Sequence, residues 1–339
     1  MKLHEQLVQL VRTKGYAAST EKAYLMRYHQ FVHFTKDRYG KYVHPKELAT
    51  RDVEAYLSFL SNQKDVAPAT QRSALSAIRF LFEEVLGQKL GELNFAAARD
   101  RKKIPVVLSF TETKRLLECF SGVARLQSEL MYGCGLRISD CMKLRIKDLD
   151  LKSKTLNVNQ SKGGKSRILM LPSSLLGDLE KQVARTKIVH EQDRNGGGIR
   201  VSMPHVLGEK APAWAASLEW FWLFPAANVS RDPRSGKVLR HHEGVDVYRR
   251  KFKMAKSRSG IRKAIVPHSW RHSFATHMLL QGCDVRTLQR LMGHSSLKTT
   301  EIYLHVVDAM SKRLASPLDR LSEFAEQEPA ENKMVSRTA

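Results

Sequence analysis

Apolar positions in the first 95 residues recur at helical spacing four times. Leu3, Leu7, Leu10 and Val11 make one stripe, and Tyr24, Tyr28, Phe31 and Val32 make a second after the start signal Ser19-Thr20. Val53, Tyr56, Leu57 and Leu60 follow a candidate cap at Thr50, and Leu75, Ile78, Leu81, Phe82 and Val85 follow the opening Pro68-Ala69-Thr70. Four short amphipathic helices with polar outer faces make a compact bundle, and it holds no nucleophile with a base beside it. The text from Ala96 to Pro105 is basic and closes on a proline that disfavours helix before it, so residues 96–104 are expected to be a linker. Ser109 and Glu112 then have capping-box spacing ahead of Leu116, Leu117 and Phe120. The next helix runs to Met131-Tyr132 and is broken by Gly133 and Gly135, which leaves Arg137 at the start of another. Here the period changes to two. Thr155–Asn159 and Arg167–Leu171 alternate like strands about the turn signal Gly163-Gly164, which predicts a β-hairpin with Lys162 and Lys165 at its tip. Helical text to about Gln192, a Gly196-Gly197-Gly198 break, a tryptophan-rich stretch and further helices follow, with weak signals in residues 322–339.

Length and charge sharpen this outline. The chain has 339 residues, about two domains at roughly 150 residues each. With 42% apolar and 27% charged residues it can bury a core. No apolar run approaches a membrane span, and Met1 is followed by polar residues without a secretory apolar region, so a soluble cytoplasmic protein is expected. The four cysteines, Cys119, Cys134, Cys141 and Cys283, include no C-x-x-C pair and fit a reducing compartment. Against 34 acidic residues stand 57 Lys and Arg, a net charge of +23. Nucleic acid is the first partner that such a charge suggests; an anionic membrane surface or a simple solubility charge would give the same balance.

Several sites attract attention for chemistry. Arg137 follows Gly135-Leu136, and His268-Ser269-Trp270-Arg271-His272 opens an apolar helix. Leu291-Met292-Gly293-His294 ends another, and Tyr303 comes nine residues after His294. Taken singly, Gly293-His294 is an ordinary helix C-cap, Tyr303 an amphipathic core tyrosine, and His268 with Arg271 a solvated helix start. His268, His272 and His277 have no H-E-x-x-H pattern and no carboxylate at ligand spacing, so no metal is expected there.

Together and in this order, Arg137, Lys162, His268-x-x-Arg271, Gly293-His294 and Tyr303 resemble the tyrosine recombinase family, and the resemblance extends over nearly the whole chain. It implies a mainly α fold with a small β-hairpin or sheet, of the α+β class. A helical SAM-like core-binding domain (1–95) and a catalytic domain (105–321) would form a C-shaped clamp around DNA. It also implies a homo-tetramer on DNA, two protomers active at a time, with C-terminal helices exchanged between neighbours; Leu314, Leu318 and Leu321 could supply that contact. Arg137 and Arg271 would meet the charge of the pentavalent transition state, because a guanidinium stays charged and forks onto phosphate oxygens. Tyr303 would attack, storing the bond energy in a 3′-phosphotyrosyl link. The family alignment makes Lys162 the acid for the leaving 5′-oxygen, ahead of Lys165. His268 would be base or hydrogen-bond partner of Tyr303, and His294 a further donor to the phosphate. Asp140, one turn after Arg137, would orient a basic residue, with a plain surface carboxylate as the alternative. No cofactor, metal or ATP is implied. Trp270 stands where relatives more often have leucine and is expected to matter for stability more than for chemistry.

Residues from about 193 to 225, and the text just after them, exceed a minimal recombinase. Trp214, Trp220 and Trp222 precede Leu223-Phe224-Pro225, Asp232-Pro233-Arg234-Ser235-Gly236 and Arg240-His241-His242. This block resembles the extra segment of integron integrases, which insert and excise gene cassettes. By that resemblance the partners are a folded single-stranded cassette site and a duplex integron site. Trp220, Pro233, His241 and His242 would then surround unpaired bases, for which stacking on an aromatic ring needs no groove code. For Trp222 a core position is the stronger expectation. Val206-Leu207-Gly208-Glu209-Lys210-Ala211-Pro212 lacks a tyrosine that relatives carry. The rivals are a phage- or Xer-type recombinase on duplex sites, a type IB topoisomerase, and a non-catalytic DNA-binding relative.

Overall fold

The computed structural model describes residues 2–99, 105–159, 166–204 and 207–310. Lys162, Lys165, Gly163-Gly164, Val206, the leucines 314, 318 and 321 and the tail 322–339 lie outside them. The chain divides into two compact units, Met1–Lys103 and Ile104–Ala339.

The first unit is the expected helical bundle. Helices α1 (Leu3–Thr13), α2 (Ala18–Tyr39), α3 (Thr50–Asn62) and α4 (Pro68–Arg79) bury the predicted stripes around Leu7, Phe31, Tyr56, Leu57 and Ile78. Their starts differ slightly from the text. Ala17 and Ala49 are the cap residues, and at α3 the Asp52 carboxylate accepts the Ala49 N–H at 2.9 Å. The fourth stripe is not one helix, since α4 passes into a π-turn over Phe80–Val85. There Leu86 N–H reaches Leu81 O at 3.0 Å, and the wider winding brings three consecutive side chains, Phe80, Leu81 and Phe82, into the core. Residues 96–98 pack onto this unit. Gln71 donates to Ala96 O and accepts from Ala98 N–H, and Ser58 Oγ accepts from Ala96 N–H.

In the second unit, α5 (Phe110–Glu118) opens with the expected capping box, Ser109 Oγ accepting from Glu112 N–H and Glu112 accepting from Ser109 N–H. Then come α6 (Gly122–Gly133) and the one-turn α7 (Ile138–Met142). Strands β1 (Leu149–Asp150), β2 (Thr155–Val158) and β3 (Arg167–Met170) form an antiparallel sheet in that order, with Val158 opposite Arg167. Alternation turns Leu156, Val158, Leu169 and also Arg167 inward. Helix α8 (Leu176–Asn195), β4 (Arg200–Val201), the short α9 (Leu207–Lys210), β5 (Ser230–Arg231) and β6 (Val238–Arg240) follow. β6 lies between a parallel β4 and an antiparallel β5. Helices α10 (Val245–Ser259), α11 (Ser269–Leu280), α12 (Val285–Met292) and α13 (Lys298–Met310) end the described chain. The core gathers Leu116, Leu130, Met131, Leu156, Leu179, Tyr248 and Trp270. No described helix is long and apolar enough to cross a membrane.

Candidate active site

Four separate stretches deliver the singled-out side chains to one place. Gly135 has φ +61°, and a Cβ there would collide with the Phe274 ring, so only glycine fits the turn that ends α6. The turn leaves Arg137 extended at the N-cap of α7. Ser269 Oγ accepts the Val266 N–H at 3.2 Å and starts α11, which places His268, Arg271 and His272 within one helical turn. Asp284 caps α12 by accepting from Thr287 N–H. Gly293, at φ 60°, stops that helix and turns His294 inward. Tyr303 comes from α13.

Arg271 is the hub, and is 1% exposed. Nη1 donates to Gly135 O at 2.5 Å, while Nη2 donates to Met292 O and, at 3.1 Å, to His294 Nε2. His294 Nδ1 is 2.9 Å from Thr300 Oγ1. Both of its ring nitrogens therefore have partners within the cluster. Burial first, then Arg271 and Arg137, press the His294 pKa down to about 3. The same order of causes, with the Arg137 and Arg167 charges after burial, lowers that of Arg271 itself.

Asp140 stands between two arginines. It lies 3.7 Å from Arg137 Nη1 and 3.2 Å from Arg167 Nη2. Nothing in the motif pointed to Arg167. It occupies an inward position of β3, is 8% exposed, and its Nε and Nη1 have no partner among the described residues. The signal available was its place in the strand alternation, where an apolar residue is usual.

Tyr303 is 3% exposed, packed among Phe274, Ala275, Leu288 and Met292. Its hydroxyl lies 2.9 Å from His272 Nδ1. The hydrogen bond expected from His268 is made by His272 instead; His268 meets the His272 ring edge-on at 4.6 Å and makes none to Tyr303 among the described residues. The two histidines share a face of α11, but His268 is its N-cap and His272 lies one turn further along, at the level of the Tyr303 hydroxyl. Burial, then His268 and Arg271, bring His272 down to about 4. Burial followed by Arg271 and Arg137 lowers His268 as well.

These histidines tie stability to pH. Each has a folded pKa below the ordinary histidine value of 6.5, so the unfolded chain binds protons that the folded chain refuses as pH falls from 6.5 toward 3–4. Their contribution is fully present above 6.5 and is lost as pH falls. The urea midpoint is expected to drop between pH 7 and pH 5, where carboxylates stay ionised, and to drop less in a His272→Gln, His294→Gln double variant. Equal slopes in the two proteins would overturn this assignment.

The tryptophan-rich stretch builds a second surface. Trp214, 46% exposed, stacks on Trp220 with centroids 5.2 Å apart and an interplanar angle of 13°. Lys147 Nζ stands 4.5 Å and the Arg145 guanidinium 5.2 Å from the Trp220 centroid. Trp222 is a core residue, as expected, donating to Arg240 O at 3.0 Å and facing Arg145 at 3.7 Å. Pro233 is exposed in the Asp232–Lys237 turn, and His241 lies 3.9 Å from Asp232. His242 is half-buried, with Nδ1 2.8 Å from Glu243 O and its ring edge-on to Trp222. Arg240 is structural. It pairs twice with Asp193, at 2.5 and 2.7 Å, and donates to Ala226 O and Ala227 O. The resemblance had named Trp214 only as part of the block, not among the residues around the bases, and had not marked Arg145 or Asp193, whose parts depend on contacts distant in sequence.

Residues 100–310 match the phage integrase family, and residues 3–92 match the phage integrase N-terminal SAM-like domain. An integrase/recombinase of Escherichia coli is 40% identical over 322 residues, 95% of this chain and 94% of that protein. The tyrosine recombinase XerD of Listeria innocua is 26% identical over 313 residues, 88% of this chain and 91% of that one. Among solved structures, the Tn1549 transposon integrase in complex with transposon right-end DNA shares the fold. Its TM-score is 0.56 at 17% identity, covering 96% of this chain and 99% of that one.

Proposed function

From the chain's membership of the phage integrase family, whose enzymes are site-specific tyrosine recombinases that cleave and rejoin DNA strands, we propose that it is an integron integrase. It inserts and excises gene cassettes through a 3′-phosphotyrosyl intermediate, working as a tetramer that joins a folded single-stranded cassette site to a duplex integron site. It acts in the cytoplasm on nucleoid DNA, with residues 1–95 as the core-binding domain.

In the catalytic unit, Arg137 and Arg271 take the non-bridging oxygens of the scissile phosphate, and Tyr303 attacks the phosphorus. Lys162, outside the described residues, protonates the leaving 5′-oxygen. His294 fixes Arg271, His268 lines the pocket beside His272, and Asp140 steadies Arg137. Religation is the same path reversed with a different 5′-hydroxyl, and no metal or ATP enters. The observation that supports the cleavage step is the Tyr303 hydroxyl bonded within the cluster that holds Arg271 and His294.

The cassette branch rests on the Trp214–Trp220 stack with Lys147 and Arg145 beside it. A half-exposed aromatic surface flanked by cations suits an unpaired base on a charged strand, with Pro233, His241 and His242 on the following turn and strand. The rival, an Xer-type enzyme on duplex sites, is favoured by the likeness to XerD. Nicked suicide substrates separate the two, offered as the folded bottom strand, the folded top strand or the duplex of a cassette site. Trapping on the bottom strand is expected. Trp220→Ala should weaken that trapping by about 5–150-fold, from roughly 1–3 kcal/mol of stacking, and leave duplex trapping unchanged. Trapping confined to duplex DNA gives the assignment to the Xer-type reading.

A further inference from the structure

The hydroxyl of the attacking tyrosine has one hydrogen-bond partner among the described residues, and it is not the histidine of the H-x-x-R motif. Tyr303 Oη lies 2.9 Å from His272 Nδ1. We propose that His272 is the proton acceptor for Tyr303, its Nδ1 taking the phenolic proton as Oη attacks the phosphorus. This rests on the reading of Tyr303 as the nucleophile.

The step balances. The Oη–P bond forms as the P–O5′ bond breaks, the phenolic proton passes to His272 Nδ1, and the departing 5′-oxygen takes a proton from the acid assigned above to Lys162. In religation the imidazolium returns the proton to the tyrosine. With Nδ1 accepting, Nε2 carries the hydrogen of the neutral ring, and burial keeps His272 neutral at neutral pH, so its lone pair is free for the task.

The neighbours suit this role. His268 and Arg271 face His272 from α11, and Tyr303 faces it from α13. His294 stacks on the Tyr303 ring at 6.4 Å and 10°. Asp140 is engaged by Arg167 and Arg137. Burial raises the Tyr303 pKa, while Arg271 and Arg137 pull it down, so the phenol needs an acceptor and the arginines favour the phenolate. A phosphodiester brought to those arginines carries negative charge that favours a protonated ring, so substrate strengthens His272 as a base at the moment of use. His268 has none of this geometry toward the hydroxyl.

The test is single-turnover covalent trapping by the full chain on whichever substrate above the parent protein traps. Each oligonucleotide is made with an ordinary 5′-oxygen and with a bridging 5′-sulfur, which leaves without needing a proton. His272→Ala and His272→Gln are expected to trap about 10²–10⁴-fold more slowly on both, the range of a lost general base. Their residual rate should climb with pH as the phenol ionises unaided, while gel-shift affinity for uncut DNA matches the parent. The glutamine variant guards against a folding defect in the alanine one. His268→Ala should keep the parental pH profile even where its rate falls. Trapping at the parental rate or faster, rescue by the sulfur substrate, or the pH-dependent loss appearing in His268→Ala instead would each overturn the assignment. A covalent complex formed by Tyr303→Phe would remove the nucleophile reading itself, a separate result.

Discussion

A Tyr303→Phe protein is expected to fold, bind DNA at parental affinity and form no covalent complex at all. The separation follows from how the residue is held. Its ring is enclosed by Phe274, Ala275, Leu288 and Met292, and phenylalanine keeps every one of those contacts. The hydroxyl makes a single bond, to His272, whose loss costs about 1 kcal/mol. Chemistry has no such fallback, because a phenyl ring cannot form a phosphate ester and no other described tyrosine is hydrogen-bonded at the Arg271–His294 cluster. Urea unfolding, gel shift and a denaturing gel on the suicide substrate read the three properties separately. A covalent band in the variant would move the nucleophile elsewhere. A collapse of stability would show that the hydroxyl is chiefly structural.

The largest loss of stability is expected at Trp270, one residue before Arg271. Trp270→Ala should destabilise the catalytic unit by about 3–5 kcal/mol. The indole is fully buried between Phe120, Tyr132 and Phe252, at centroid distances of 6.2 Å. Its Nε1 donates to Tyr248 Oη at 3.0 Å, and that oxygen lies 2.6 Å from Ser128 Oγ. Alanine opens a cavity and removes one donor from a buried hydroxyl. Trp270→Phe keeps most of the volume and leaves Tyr248 its serine, so a smaller loss, about 1–3 kcal/mol, is expected. The tryptophan fills the core behind α11 and fastens that helix to it one position before Arg271. Protein that remains folded should still trap DNA. Parental stability in the alanine variant would show that α11 is anchored elsewhere.

Much of this architecture can be read from residue spacing, since the stripes of α1 to α3, the Ser109–Glu112 box, the two hairpin strands and the Gly293 stop each depend on neighbours a few positions away. The misreadings share a cause. Phe80–Val85 has helical spacing, and only the demand of the core for three adjacent side chains selects the wider π winding. His268 and His272 share one face of the same helix a turn apart, and which of them meets the tyrosine depends on the height at which α13 packs along α11. Arg167 and Arg145 look like two more basic residues in a basic chain until long-range packing buries them beside Asp140 and the tryptophans. Position in a motif names the chemistry. Packing decides which neighbour delivers it.

Arg145 has a consequence for how such a chain can change. Its guanidinium donates to Trp220 O and to Ser202 O, and lies against the Trp222 face, all partners within the segment 193–225. Excising that segment would take away the cover with the partners and return the cation to water, whereas replacing Arg145 alone would leave two carbonyls, Trp220 O and Ser202 O, without their donor, at about 1–3 kcal/mol each. Position 145 is therefore tied to the segment it holds: while the segment is present the arginine is costly to change, and once the segment is gone nothing in it constrains that position.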